Sequence, residues 1–565
     1  MKLNKVTNWI LLLIFITIFT FLGAGKAFDH KISHNSPTGF MASDAFTHNW
    51  VAQNTFDTNY VDKLPEYAFS NREEYEEKVN NYVLFHPSVL PLSTASIAKL
   101  SKLNVYDVNI LLVFIFIVLI ILLNYFILAR FNETLALFSL PLILLFLQRK
   151  FFISLSWGWW DFMIGEFFLF AVIFLILTPW FKHRYLINGL LIILAFMSHG
   201  MEAGYAAIFI AFYLLYSLIF NRKEFFLLLI EQIKSLAVVI LIGLYSINIF
   251  LKGMGALGYH QVRFMSNAEF LAKAYGGVPA NYFIFFEEFL FFKIIIILGS
   301  LILLYLLIKK KSQVSAYCTF VIFMSFLPYL YIMAGERGFQ WRFLWPIYLS
   351  FSLGAVCFLI FYLIKKWIPY ILPLKISIFS ICSIGIIMMA YPLPFNGAGV
   401  LDADDYASYT WIHKNTDVYS DFLILFSPVN DQISRLYLVK RHIFISTLDS
   451  WQSLNVKNSS IFNLKDNTPL DLSFCEKDDC SLFKESHFLE KVKKQGEVYF
   501  KNQSICFFDY IYLNLKNQQE IQNKNAYYIT NLISKNISQI IFNNNGAVIL
   551  KNIVKGEECE RRFRS

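Results

Sequence analysis

Charge is scarce in this chain: only 16% of its 565 residues are Asp, Glu, Lys or Arg, whereas 57% are hydrophobic and 18% aromatic. With a mean hydropathy of +0.51, the apolar surface is more than a soluble core could cover. That excludes an ordinary soluble protein and points to one that crosses a membrane many times. Cysteine is also sparse, with seven in all. Cys318, Cys357 and Cys382 fall in apolar segments and read as small, inert hydrophobes. Cys475, Cys480, Cys506 and Cys559 fall in a polar tail. No paired Cys-x-x-Cys motifs or neighbouring His pair accompany them, which argues against structural zinc. Four is an even number, so two disulfides are allowed if the tail faces an oxidising compartment, with Cys475 and Cys480 among the expected participants. The tail also shows no phosphate loop, no Gly-x-Gly-x-x-Gly and no Ser-His-Asp order. The formal charge of +9 sits largely at the ends of apolar runs and gives no sign of a nucleic-acid partner.

What is present is a succession of apolar runs. The first spans about Trp9 to Gly23 behind Lys2 and Lys5. Gly25 and Ala27 fit a small-x-small cleavage site, but Lys26 sits inside it, so an uncleaved first helix is the preferred reading. Further runs lie at about 108–128, 133–147, 162–180, 185–199, 203–220, 226–251, 289–308, 316–334, 343–363 and 370–390. The total is about eleven spans. Arg130, Lys182 to Arg184, Arg222-Lys223, Lys309 to Lys311 and Lys365-Lys366 recur on alternate connections, which places the N-terminus and these loops in the cytoplasm. Arg149-Lys150 is the exception. An odd span count then puts residues 391–565 outside the cell, apart from a membrane domain over 1–390.

The same alternation collects Asp161, Glu166, His199, Glu202, His260, Arg263, Glu336, Arg337 and Arg342 at the outer ends. Ionisable groups at membrane depth are expensive and tend to mark a site. Glu287 and Glu288 read as ordinary solvated loop charges. Facing the same side is the long polar loop 26–107, with Asp44 and His48 four residues apart and hence on one face of any helix they share. A carboxylate and an imidazole so placed can hold a cation or manage a proton. The plainer alternative is an Asp that caps a short helix beside a solvated His. The loop closes with His86-Pro87 and an amphipathic run from Leu92 to Leu103.

The tail turns polar after Tyr391-Pro-Leu-Pro394. Tyr406 to Asn415 reads as an amphipathic helix, Phe422–Phe426 and His442–Ser446 as strands, and Gln539–Phe542 with Ala547–Leu550 as a hairpin about Asn543-Asn-Asn-Gly546. Together these predict one outer α/β domain. Asn458, Asn502 and Asn536 head Asn-x-Ser sequons and Asn132 an Asn-x-Thr; the tail sequons are compatible with an outward face.

One helix, a long outer loop with an early acid, many further helices and an outer C-terminal domain resemble the GT-C glycosyltransferases. Asp44-Ala-Phe-Thr-His48 is similar to the Asp-x-x-x-His of the first outer loop of prokaryotic oligosaccharyltransferases. His86-Pro87-Ser-Val-Leu-Pro91 looks like the end of that loop, and Trp411 to Thr416 resembles the helix that opens many GT-C outer domains. The resemblance implies a polyprenyl-phosphate-linked sugar or oligosaccharide donor and a lipid, glycan or protein acceptor. Those enzymes carry Trp-Trp-Asp-Tyr-Gly in the outer domain; here Trp159-Trp160-Asp161 lies between spans and continues with Phe-Met, and it is read as coincidence. Transfer to an Asn sequon is therefore not implied.

On this resemblance Asp44 is the candidate base, or the ligand of Mg²⁺ or Mn²⁺ if a divalent ion is used, with His48 and Glu202 as its catalytic neighbours. Arg337 and Arg342, beside Glu336 and Trp341, are candidates to clamp the donor phosphate, because guanidinium binds phosphate oxygens bidentately. Interfacial arginines touching lipid headgroups are the alternative for that pair. His199, Asp161 and His86 complete the expected substrate-binding set, and Glu202 is expected to join Asp44 or pair with His199. The rival function is a transporter or flippase of a lipid-linked or small solute. No inverted repeat and no matched pair of Gly- or Pro-broken helices supports it.

Overall fold

The computed structural model describes residues 2–28, 44–61, 63, 65–68, 71–78, 89–147, 158–178, 183–256, 290–309, 316–323, 346–368, 370–390, 403–425, 439–446, 506, 508–514, 530–545 and 547–564, some of them by backbone alone.

Helices form wherever apolar residues run long, because in hydrocarbon every backbone group must be bonded within its own segment. Among the described residues, five helical stretches are long and apolar enough to cross a membrane: Val6–Gly25, Val105–Phe131, Glu202–Phe220, Arg222–Leu244 and Ile371–Met388. Shorter apolar helices lie at Glu133–Leu147, Arg184–Ser198, Ile294–Ile308 and Ser350–Ile364. Residues 160–176 and 316–323 are also helical. The protein is a multi-pass membrane protein with a helical body.

Close packing without a hydrophobic drive needs small residues at the crossings. Gly354, on the Pro346–Ile364 helix, faces the helix Glu133–Ile143 so closely that a Cβ there would stand 2.8 Å from the Leu135 carbonyl. Buried polar bonds add direction. Tyr317 donates to Asn124 at 2.5 Å, and Asn124 donates to Ser350 at 3.3 Å. At the opposite end from the loop, Lys375 donates to Asn8 at 2.9 Å and Asn8 to Glu133 at 3.1 Å, tying the first, third and last helices.

Part of the polar loop is folded down onto this body. The helix Asp44–Thr58 packs on the amphipathic helix Val89–Ser101 and on the start of Val105–Phe131. Asn49 accepts from Asn109 at 2.8 Å, and Asn109 in turn accepts from Thr94 at 2.5 Å. These three buried side chains fix the helix at one height above the bundle.

Among the described residues the tail forms a five-stranded mixed sheet: β1 Asp421–Leu425, β2 His442–Ser446, β3 Tyr510–Asn514, β4 Ser538–Asn544 and β5 Ala547–Asn552, in the order β2-β1-β3-β5-β4. β1 runs parallel to β2 and β3, while β3–β5 and β4–β5 are antiparallel. The helix Ala403–Asn415 covers it, with Tyr409 against Tyr512 and Trp411 against Phe542. The expected hairpin forms, but its strands are longer than Gln539–Phe542 and Ala547–Leu550. Asn544 pairs with Ala547, so Asn543 and Asn544 belong to the ladder, and Asn545 leaves it at φ +46°. A bulge between Ile540 and Phe542 absorbs the extra residue. Cys506 and Cys559 form a disulfide with a Cα–Cα distance of 5.6 Å, whereas Cys475 and Cys480 lie outside the described residues.

Candidate active site

The loop helix brings His48 to the start of the helix Trp160–Ile176, and both His48 and Asp161 are almost fully buried. His48 Nε2 lies 2.6 Å from the Gly158 carbonyl oxygen. A carbonyl only accepts, so Nε2 carries the proton and Nδ1 is the nitrogen turned to Asp161 Oδ2, at 3.4 Å. That ion-pair contact is favourable when one further proton sits between the ring and the carboxylate. The Trp160 ring lies tilted against His48, centroids 5.5 Å apart, and screens the pair.

A second acid–imidazole pair sits one turn further along the same face. His199 is the single extended residue between the helices Arg184–Ser198 and Gly200–Phe220. Glu202, in the first turn of the second helix, is fully buried and accepts through Oε2 from His199 Nδ1. A carboxylate is favoured there by the positive end of the helix. Its other oxygen, Oε1, meets no hydrogen-bond donor among the described residues. Gly165 is what allows the approach: a Cβ there would stand 3.2 Å from Glu202 Oε2 and 3.2 Å from His199 Cβ. Phe162 closes the near side, edge-on to His199 at 5.8 Å. Asp161 and Gly165 are four residues apart, so the two pairs are separated by about 6 Å along the helix axis. Glu166 is buried beside them.

The structure therefore joins His48, Asp161, His199 and Glu202 around one helix end. His48 contacts Asp161, and the helix turns its ring toward Gly158. Of the two alternatives for Glu202, the contact with His199 is present. Trp160 and Asp161, in the stretch Trp159-Trp160-Asp161, lie against His48. Asp44 opens the loop helix, and its side chain is outside the described residues. His86, Glu336, Arg337, Arg342, Arg149, Lys150, His260, Arg263, Glu287 and Glu288 lie outside them altogether. Among the described residues no three His, Cys, Asp or Glu are grouped to hold a metal ion.

No family model matches the chain, and no curated protein matches it. Among solved structures, ArnT from Cupriavidus metallidurans bound to undecaprenyl phosphate is similar over 97% of this chain and 98% of its own, at 9% identity and a TM-score of 0.43. The same protein in the apo state is similar over the same shares, at 11% identity and a TM-score of 0.46. No residue is carried across on that likeness.

Proposed function

We infer that this chain is a membrane glycosyltransferase that moves a sugar from a polyprenyl-phosphate-linked donor to an acceptor outside the cytoplasm. The observation that carries the reading is the pair of buried acid–imidazole contacts, His48–Asp161 and His199–Glu202, assembled at the inserted loop helix. The resemblance of Asp44-Ala-Phe-Thr-His48 and of the loop's closing motif to the GT-C pattern adds to it.

In such a transfer the acceptor loses a proton and the departing phosphate must be neutralised. Glu202 has one carboxylate oxygen held by His199 and the other free of described donors, which suits it to take that proton. His48–Asp161 can hold a proton on the neighbouring turn. Asp44, at the start of the same loop helix, is the second candidate base, and Arg337 and Arg342 are the candidate phosphate clamp. The reading divides the chain into a membrane domain, 1–390, and an outer α/β domain, 391–565, with about eleven spans and the N-terminus in the cytoplasm. The acceptor is a glycan, a lipid or a protein.

Membranes holding the protein are expected to release labelled sugar from a radiolabelled polyprenyl-phosphoryl sugar into an acceptor fraction. Asp44→Asn and His48→Ala should each lower that transfer by a factor on the order of 10² with folding retained. Transfer at the wild-type rate in both variants would remove the loop helix from the chemistry. A reporter that works only in the cytoplasm, fused after Ser565, should stay silent; activity there would overturn the sidedness.

A further inference from the structure

The loop helix that carries His48 is gripped at its far end by the tail. Asp57 accepts from Lys440 Nζ at 2.8 Å, from Tyr67 at 2.9 Å and from Gln53 at 3.1 Å. The Asp57 and Lys440 side chains are only 16% and 22% exposed, so the pair is partly shielded from water and screened less than a surface pair. A second bond joins the same segments, Tyr419 donating to Glu66. Lys440 projects from the residue pair that precedes β2. Its backbone adopts φ +51°, and the next residue, Arg441, is locked to the tail. Arg441 donates to the His413 carbonyl at 2.8 Å, to the Thr416 carbonyl at 2.6 Å and to Thr416 Oγ1 at 2.9 Å. The guanidinium is thus spent on the end of the Ala403–Asn415 helix and anchors Lys440 rather than reaching for a ligand.

Asp57 is nine residues beyond His48, about 13 Å along the helix and on roughly its opposite face. The membrane body holds the helix through His48 and Asn49 near one end, and near the other through Lys99, which donates to Asn59 and lies 5.4 Å from the Phe56 ring centroid. Lys440 adds the hold that comes from the tail.

Resting on the functional reading above, we propose that Lys440 is a positioning residue: through Asp57 it sets the angle of the loop helix and so makes the geometry at His48 depend on the outer sheet. It touches neither pair at the site. Its effect falls on the alignment of reacting groups, where a displacement on the order of 1 Å can cost as much as a hundredfold in rate.

The test uses the full-length protein in liposomes that contain a polyprenyl-phosphate-linked sugar. Lys440→Met is expected to lower kcat about tenfold while KM for that donor stays within about twofold. Asp57→Lys should do the same. The double variant with Lys440→Asp reverses the pair and is expected to recover kcat to within about threefold of wild type. Asp tolerates the left-handed backbone at 440, and Lys suits the C-terminal end of a helix. In parallel, amide hydrogen exchange in residues 44–58 should quicken in Lys440→Met and return in the reversed double, with residues 105–131 unchanged. An unaltered kcat in Lys440→Met, or a double no better than either single at a wild-type unfolding temperature, overturns the proposal. If wild type transfers no sugar, the functional reading fails by itself, and exchange decides the strap: no change in residues 44–58 overturns it.

Discussion

Replacing Glu202 by Gln is expected to lower sugar transfer by a factor of about 10² to 10⁴, the range for losing general-base help. The substitution keeps the volume that fits against Gly165, and the amide can still bond His199, so the turn between the two helices should hold. What disappears is the negative charge and the free oxygen that could receive a proton. The variant should bind the donor with little change in KM and fail in kcat, since the interaction matters at proton transfer and not in the ground state. His199→Ala should fall in the same direction, and the double should be little worse than Glu202→Gln alone if the two act as a unit. Transfer within about threefold of wild type in a folded Glu202→Gln protein would move the base elsewhere, with Asp44 next in line. The measurement is initial rate against donor concentration in reconstituted vesicles, with unfolding temperature as the check on folding.

Removing the disulfide should have the largest effect on stability. Cys506 and Cys559 are 53 residues apart and both fully buried. The bridge staples the helix Gly556–Arg564, which is mostly charged and has little apolar surface of its own, to Cys506, four residues ahead of the central strand β3. Loss of a native bridge of this kind typically costs about 2–4 kcal/mol. In a domain of this size that is an unfolding temperature lower by roughly 5–15 °C. The double Cys506→Ser, Cys559→Ser protein should show the drop in a fluorescence melt. Reductant should lower wild type toward the variant and leave the variant unchanged. Equal melting of all four samples would show that the bridge contributes nothing to the fold.

Helix positions were legible in the sequence because apolar runs of adequate length have one stable backbone solution in a membrane. The Trp9–Gly23 and 108–128 runs correspond to the helices Lys2–Ala27 and Val105–Phe131, each extended by polar end residues that hydropathy discounts. The hairpin was legible for a local reason too, since Asn-Gly between two β-branched runs specifies a tight turn. β3 was not. Tyr510 to Asn514 carries strand-forming Tyr and Ile but no turn signal that marks its partners, and only its pairing with both β1 and β5 makes it the middle of the sheet. The expected turn at Asn543 to Gly546 was too long by two because cross-strand pairing carries two asparagines into the ladder.

By itself the sequence determined the membrane class, the helix-forming runs, the polar loop with its Asp44 and His48, and the ionisable residues near the ends of apolar runs from which a site could be drawn. Each rests on residues close together in the chain, where period, length and turn chemistry act. Only the tertiary structure decided the partners. His48 took Asp161, 113 positions away, because the Asn49–Asn109 bond and the Val89–Ser101 helix seat the loop helix over the start of Trp160–Ile176. Glu202 came to the same face because Gly165 has no side chain to hold it off. Lys440 reached Asp57 because Arg441 fixes it to the tail. Such pairings depend on how helices distant in sequence cross, and that is set by the sum of many packing contacts, which no local pattern encodes.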